Sequence, residues 1–128
     1  MKYTLLCIAL VLAGCKTASA PLPTGAINSV DATINESLQA AHAYVTQWQA
    51  DVACKVASTA CTPHTPTAAE TTLMGKVATD LNIADPLYQQ FHTALAANPG
   101  AGEPANLAAA LAAVTSDLAN LVNAAKGL

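Results

Sequence analysis

A chain of 128 residues can bury one core and is too short for two domains. It is 53% hydrophobic yet only 10% charged, with alanine supplying much of the excess and no arginine anywhere; ordinary soluble domains carry roughly 25% charged residues. Five lysines against eight acids give a net charge of −3, and without a basic cluster the chain lacks the footprint that nucleic-acid binding requires.

Lys2 supplies an early positive charge, and Leu5 to Ala13 form a short apolar run. That run is far below the ~20 residues needed to span a bilayer, and it suits the core of a signal peptide. It ends in Leu12-Ala13-Gly14-Cys15. These residues resemble the lipobox of bacterial lipoproteins, in which an aliphatic residue and two small ones precede an invariant cysteine. The resemblance implies a signal over 1–14, diacylglycerol on the Cys15 thiol, cleavage before Cys15 and an acyl chain on the new amine. The membrane is then a partner through that lipid. Lys16, in place of an aspartate, implies sorting to the outer membrane, with the domain in the periplasm or at the cell surface. A competing reading is an ordinary secretory cleavage after Ala18-Ser19-Ala20, which would leave Pro21 directly behind the cut, a poor substrate. Removal of residues 1–14 leaves 114 residues, with Lys16, Lys55, Lys76 and Lys126 against eight acids, a net charge of −4.

Residues 15–27 read as a lipidated tether, small and proline-bearing, before a helical domain over 28–128. The first helix is predicted from about Ser29 to Ala57, with Asn28, Ser29 and Asp31 as candidate caps. Ile27, Val30, Ile34, Leu38, Ala41, Val45, Trp48 and Val52 recur at helical spacing, with Asp31 and the other polar residues at the stripe's edges or opposite it. Thr62 to Pro66 break the chain. A second helix follows from Thr67 to Leu81 on Leu73, Val77 and Leu81. Asp85-Pro86 reads as the start of a third, with aspartate capping and proline in the first turn, burying Leu87, Phe91 and Leu95.

After a loop at 98–103, Pro104 opens a last helix to about Lys126. Its Leu107, Leu111, Val114, Leu118, Leu121, Ala125 and Leu128 form a heptad seam. Away from that seam lie Ala109, Ala112, Ala113, Ser116, Ala119 and Asn120. They are either the mark of an alanine-biased composition or a second packing face for another protomer or an envelope protein. The expected fold is all-α, a small antiparallel bundle of four helices, or of three if the middle two form one broken helix.

Of the four cysteines, Cys7 falls in the signal and Cys15 is the lipid attachment point. Cys54 and Cys61 remain, an even pair for an oxidising compartment. Seven helical residues would hold them about 10.5 Å apart, beyond the ~7 Å a disulfide tolerates. Pairing therefore requires the first helix to end between them.

His42, His64 and His92 are the candidate ligands, and Met74 with a histidine could hold haem inside a bundle. No metal-binding or haem-attachment spacing is present, and His42 and His92 fit boundary positions on their helices better than ligand positions. No nucleophile motif is found, and the acids read as scattered over solvated faces with no pair placed for acid–base work. No metal, cofactor or catalytic residue is expected. Tyr44 and Trp48, one turn apart, offer an aromatic contact site, against which Trp48 is read chiefly as a core anchor. The expected function is non-enzymatic contact by an anchored module, with a bundle carrying haem, metal or lipid in the periplasm as the alternative.

Overall fold

The computed structural model describes residues 25–127. The signal at 1–14, the lipidation at Cys15, most of the tether and Leu128 lie outside the described residues. Three helices follow one another: α1, Ser29–Ala53; α2, Ala68–Ala97; and α3, Ala105–Ala125. Among the described residues there is no strand.

The two expected middle helices are one. Asp85 caps nothing; it lies inside α2, and Pro86 follows it within the helix. An interior proline removes one helical hydrogen bond and ordinarily costs ~3 kcal/mol. Here Pro86 stands on the exposed side, while Leu81, Ala84, Asp85 and Tyr88 on either side are buried. Packing on the inner face carries the helix through a residue that would end it in isolation. The bundle therefore has three helices, α2 between the other two.

α1 ends at Ala53, short of Ala57, with Cys54 as its C-cap. Cys54 and Cys61 are disulfide-bonded with Cα atoms 5.9 Å apart, and the helix stops before the span that would hold them too far apart. Asp51 organises the turn. Its backbone carbonyl accepts from the N–H of Cys54 (3.2 Å) and of His64 (3.0 Å). Its carboxylate accepts from Gln47 at 2.9 Å and from the N–H of Thr62 at 3.0 Å. At the far end of α3, Gly127 takes a φ of +76°, the left-handed conformation that closes many helices.

The core is built from one stripe per helix. α1 gives Ile34, Leu38, Ala41, Val45 and Trp48; α2 gives Met74, Val77, Leu81, Ala84, Tyr88, Phe91 and Leu95; α3 gives Leu107, Ala110, Val114 and Leu121. Met74 is thus a core residue. The expected heptad seam of α3 divides in two. Leu107, Val114 and Leu121 are buried, while Leu111 and Leu118 are half-buried and look into a groove beside the core. α2 packs closely along α3 and more sparsely along α1.

Candidate functional site

Two features stand out: a polar seam between α1 and α2, and an apolar groove between α1 and α3.

The polar seam begins with helix capping. Asn28 Oδ1 accepts from the N–H of Asp31 at 2.8 Å, and the Asp31 carboxylate reaches back to the N–H of Ile27 at 2.5 Å. Thr67 Oγ1 accepts from the N–H of Glu70 at 3.1 Å, and Glu70 returns to the N–H of Thr67 at 3.2 Å. α1 and α2 thus each open on a reciprocal cap that places an acid in the first turn, where the helix dipole favours negative charge.

Both acids then reach across to other elements. Asp31 accepts from the Tyr88 hydroxyl at 2.6 Å and from His92 Nδ1 at 3.0 Å. Glu70 accepts from Trp48 Nε1 at 3.1 Å and pairs with His64 Nε2 at 2.5 Å. Burial alone would raise both carboxyls. For Asp31 the hydrogen bonds from Tyr88, His92 and Ile27 more than offset it; for Glu70 those from His64, Trp48 and Thr67 do so. Both end below the ordinary carboxylate value. An ionised carboxylate only accepts, so the imidazole nitrogen facing each one carries the proton. Burial, with the Asp31 hydrogen bond and charge, drives the Tyr88 hydroxyl upward.

A third pair joins His42 Nε2 on α1 to Asp85 on α2 at 2.7 Å. Each of the three histidines of the chain meets a different carboxylate, and every one of those carboxylates is at least 97% buried at its side chain. The expectation of acids scattered on solvated faces is therefore corrected for Asp31, Glu70 and Asp85. Sequence periodicity missed the seam because it places a residue on its own helix and says nothing of its partner. The signal available was the pair of spacings Asn28-x-x-Asp31 and Thr67-x-x-Glu70, which mark two capped helix starts. Among the described residues no group of three metal-ligating side chains comes together, and no imidazole hydrogen-bonds to a serine, threonine or cysteine. In this geometry the pairs tie α1 and its following loop to α2.

Trp48 is buried, as expected for a core anchor, with its ring edge-on to His64 at 6.4 Å. Tyr44 and Trp48 border a hollow of about 220 Å³ with Pro63 and His64.

The groove is larger, about 820 Å³, within the ~300–1,000 Å³ of ordinary ligand pockets. Val30, Ile34 and Leu38 line it from α1; Leu111, Leu118 and Val122 line it from α3. Ser29, Thr33, Ser37, Thr115 and Asn123 supply neutral polar groups, and Glu103 is the one charged residue of its lining. Val30 remains 47% exposed at its mouth. α3 is long and apolar enough to cross a membrane by length and composition, yet only 22% of its most apolar stretch is buried in the bundle. Ala109, Ala112, Ser116, Ala119 and Asn120 are exposed and Ala113 is half-buried. Ala119 alone of these six also lines the groove.

No protein-family model matches the chain, and no curated protein or solved structure is significantly similar to it.

Proposed function

We propose that the chain is a bacterial envelope lipoprotein, held to the outer membrane by acyl chains on Cys15, whose bundle is a non-enzymatic binding module. The motif Leu12-Ala13-Gly14-Cys15 supports the anchor. The Cys54–Cys61 disulfide agrees with an oxidising compartment. The observation that carries the module is the apolar groove beside a helix whose outer face of small, largely alanine side chains is exposed.

Feeding cells an alkyne-bearing fatty acid tests the anchor. The wild-type protein should take the label and run at the mass of a chain beginning at residue 15, and Cys15→Ser should do neither. An unlabelled wild-type protein would remove the anchor from the reading. The outer face of α3 suits a second copy of this chain, because an uncharged, small-residue patch meets its own image without opposing like charges. Photo-cross-linkers at Ala112 and Asn120 should then yield a covalent dimer; a strictly monomeric protein would retire that face.

The groove favours a second reading, that the bundle carries a lipid. Purified protein with a haem spectrum or stoichiometric metal would redirect that reading to another ligand.

A further inference from the structure

We propose that the groove between α1 and α3 is the receptacle for one acyl chain of the protein's own N-terminal lipid, so that the bundle is seated against its own anchor. This rests on the reading of Cys15 as acylated.

The groove has the shape of a hydrocarbon chain's seat. α1 and α3 both run antiparallel to α2, so the groove is a slot between two helices lying side by side. From Leu111 to Val122 it follows eleven residues of α3, about 17 Å at the helical rise. An elongated, apolar slot of this extent fits a linear hydrocarbon better than a flat macrocycle.

Its charge disfavours an anionic lipid. A free fatty acid or an anionic phospholipid brings a negative headgroup, and the groove offers it Glu103 and no lysine. An acyl chain already joined to the protein by an ester or amide brings no charge, and needs only the hydroxyls and amide at the rim.

The N-terminal lipid can reach it. Ser29 and Val30, the first residues of α1, line the groove. Cys15 stands fourteen residues before Ser29. At up to ~3.5 Å per residue that stretch spans as much as ~50 Å, so the lipid reaches any part of the slot. A tethered chain sees the groove at an effective concentration around millimolar, without competing by diffusion.

The groove also meets a need. The half-exposed Val30 and the partly buried Leu111 and Leu118 would be covered by the chain. Of the three chains that the lipobox implies on Cys15, two remain for the bilayer when one enters the groove, and two suffice for stable anchoring, so the protein stays attached while the groove is filled.

A fatty acid bearing a diazirine and an alkyne, fed to cells making the full-length protein, tests this. After illumination, the Cys15-borne chain should cross-link within its own molecule to peptides 29–41 and 111–123. Ser37→Trp and Thr115→Trp, at exposed positions lining the slot, should lower that cross-link at least tenfold while leaving the label on Cys15 and the helical circular dichroism unchanged. Label on Cys15 with no adduct in those peptides overturns the proposal while leaving the anchor intact. So does an adduct that joins two protein molecules, which would assign the groove to a second copy. Adducts to the same peptides in the Cys15→Ser protein, at wild-type yield, would assign the groove to bilayer lipid and overturn it as well. No label on Cys15 in the wild-type protein fails the anchor itself, and the proposal with it.

Discussion

The two sides of α2 are held by different physics. Towards α3 it meets Leu107, Ala110, Val114 and Leu121, a close apolar seam built through small residues. Towards α1 the backbone approach is sparser, and the helices are joined at intervals by Asp31 with Tyr88 and His92, by His42 with Asp85, and by Trp48 with Glu70. Close packing gives cohesion but tolerates sliding by a turn. Directional bonds between buried polar groups do not, because a slipped register strands each of them without a partner. The polar side thus fixes where α1 stands, and α1 so placed leaves the groove open beside α3.

Removing a carboxylate from the polar side should produce the largest change. In Asp31→Ala, the Tyr88 hydroxyl, His92 and the N–H of Ile27 lose their acceptor together. A loss of about 3–5 kcal/mol is expected, as for other broken buried pairs. Leu95→Ala, at a fully buried site on α2, should cost about 2–5 kcal/mol. Chemical denaturation measures both, and pH separates them. The folded values of Asp31 and Glu70 lie below their unfolded ones. Their contribution is complete above the unfolded carboxyl range near ~4 and fades as pH falls through the folded values. Asp31→Ala should therefore shallow the acid limb of the stability curve, and Leu95→Ala should shift it without changing its shape. Equal acid limbs in the two variants would erase the distinction between the sides.

Hydrogen exchange sharpens the same contrast. Below pH ~4 the amides of α1 should lose protection before those of α2 and α3, because acid removes the bonds that hold α1 and leaves the apolar seam in place. Simultaneous loss across all three helices would mean that α1 is held chiefly by Ile34, Leu38 and Val45, and that the polar pairs are secondary.

The disulfide acts at the end of α1 and belongs to neither side. Closing its eight-residue loop should contribute about 2.5 kcal/mol through the entropy of the unfolded chain. Cys54→Ser with Cys61→Ser should lower the melting temperature to the extent that dithiothreitol lowers it for the wild type. It should leave the acid limb unaltered, since the loop is also tied by Asp51 and Gln47.

How far the sequence foretold this arrangement differs between the sides. The apolar stripes of α1 and α3 were legible because 3.6-residue periodicity reports burial directly, and the Cys54–Cys61 pair was legible because two cysteines remain for an oxidising compartment, their pairing then dictating where the helix ends. Asp85-Pro86 misled, since a start signal competes with packing and packing won at Ala84 and Tyr88. The polar side was hidden for another reason. Asp31 and His92 stand 61 residues apart, and nothing local marks an acid at the edge of a stripe as the one that a distant tyrosine and histidine will cover. The groove was half legible: Leu111 and Leu118 were expected on a seam, but only three-dimensional placement shows that α1 stands too far off to cover them.

The smallest expected effect has the opposite sign and tests the apolar side. Asp80 on α2 is pushed up to about 6, first by burial and then by hydrogen bonding and repulsion from Asp117 on α3, with Lys76 lowering it in part. One Asp80 oxygen is buried without a partner. A carboxyl whose folded value exceeds its unfolded one favours the fold when protonated. That advantage declines as pH rises from ~4 to 6, and above 6 the two aspartates repel across an otherwise cohesive seam. Asp80→Asn removes the repulsion. It should stabilise the protein at pH 7.5 by on the order of 1 kcal/mol, allowing for solvent screening of a half-exposed pair. The gain should vanish near pH 4, where the wild-type carboxyl is already neutral in the folded protein. Thermal melts at the two pH values decide it. A stabilisation that persists at pH 4 would trace to the buried oxygen losing its unmet need for a donor, and not to charge. The close seam would then have no pH dependence of its own, and acid would act on the bundle only through α1.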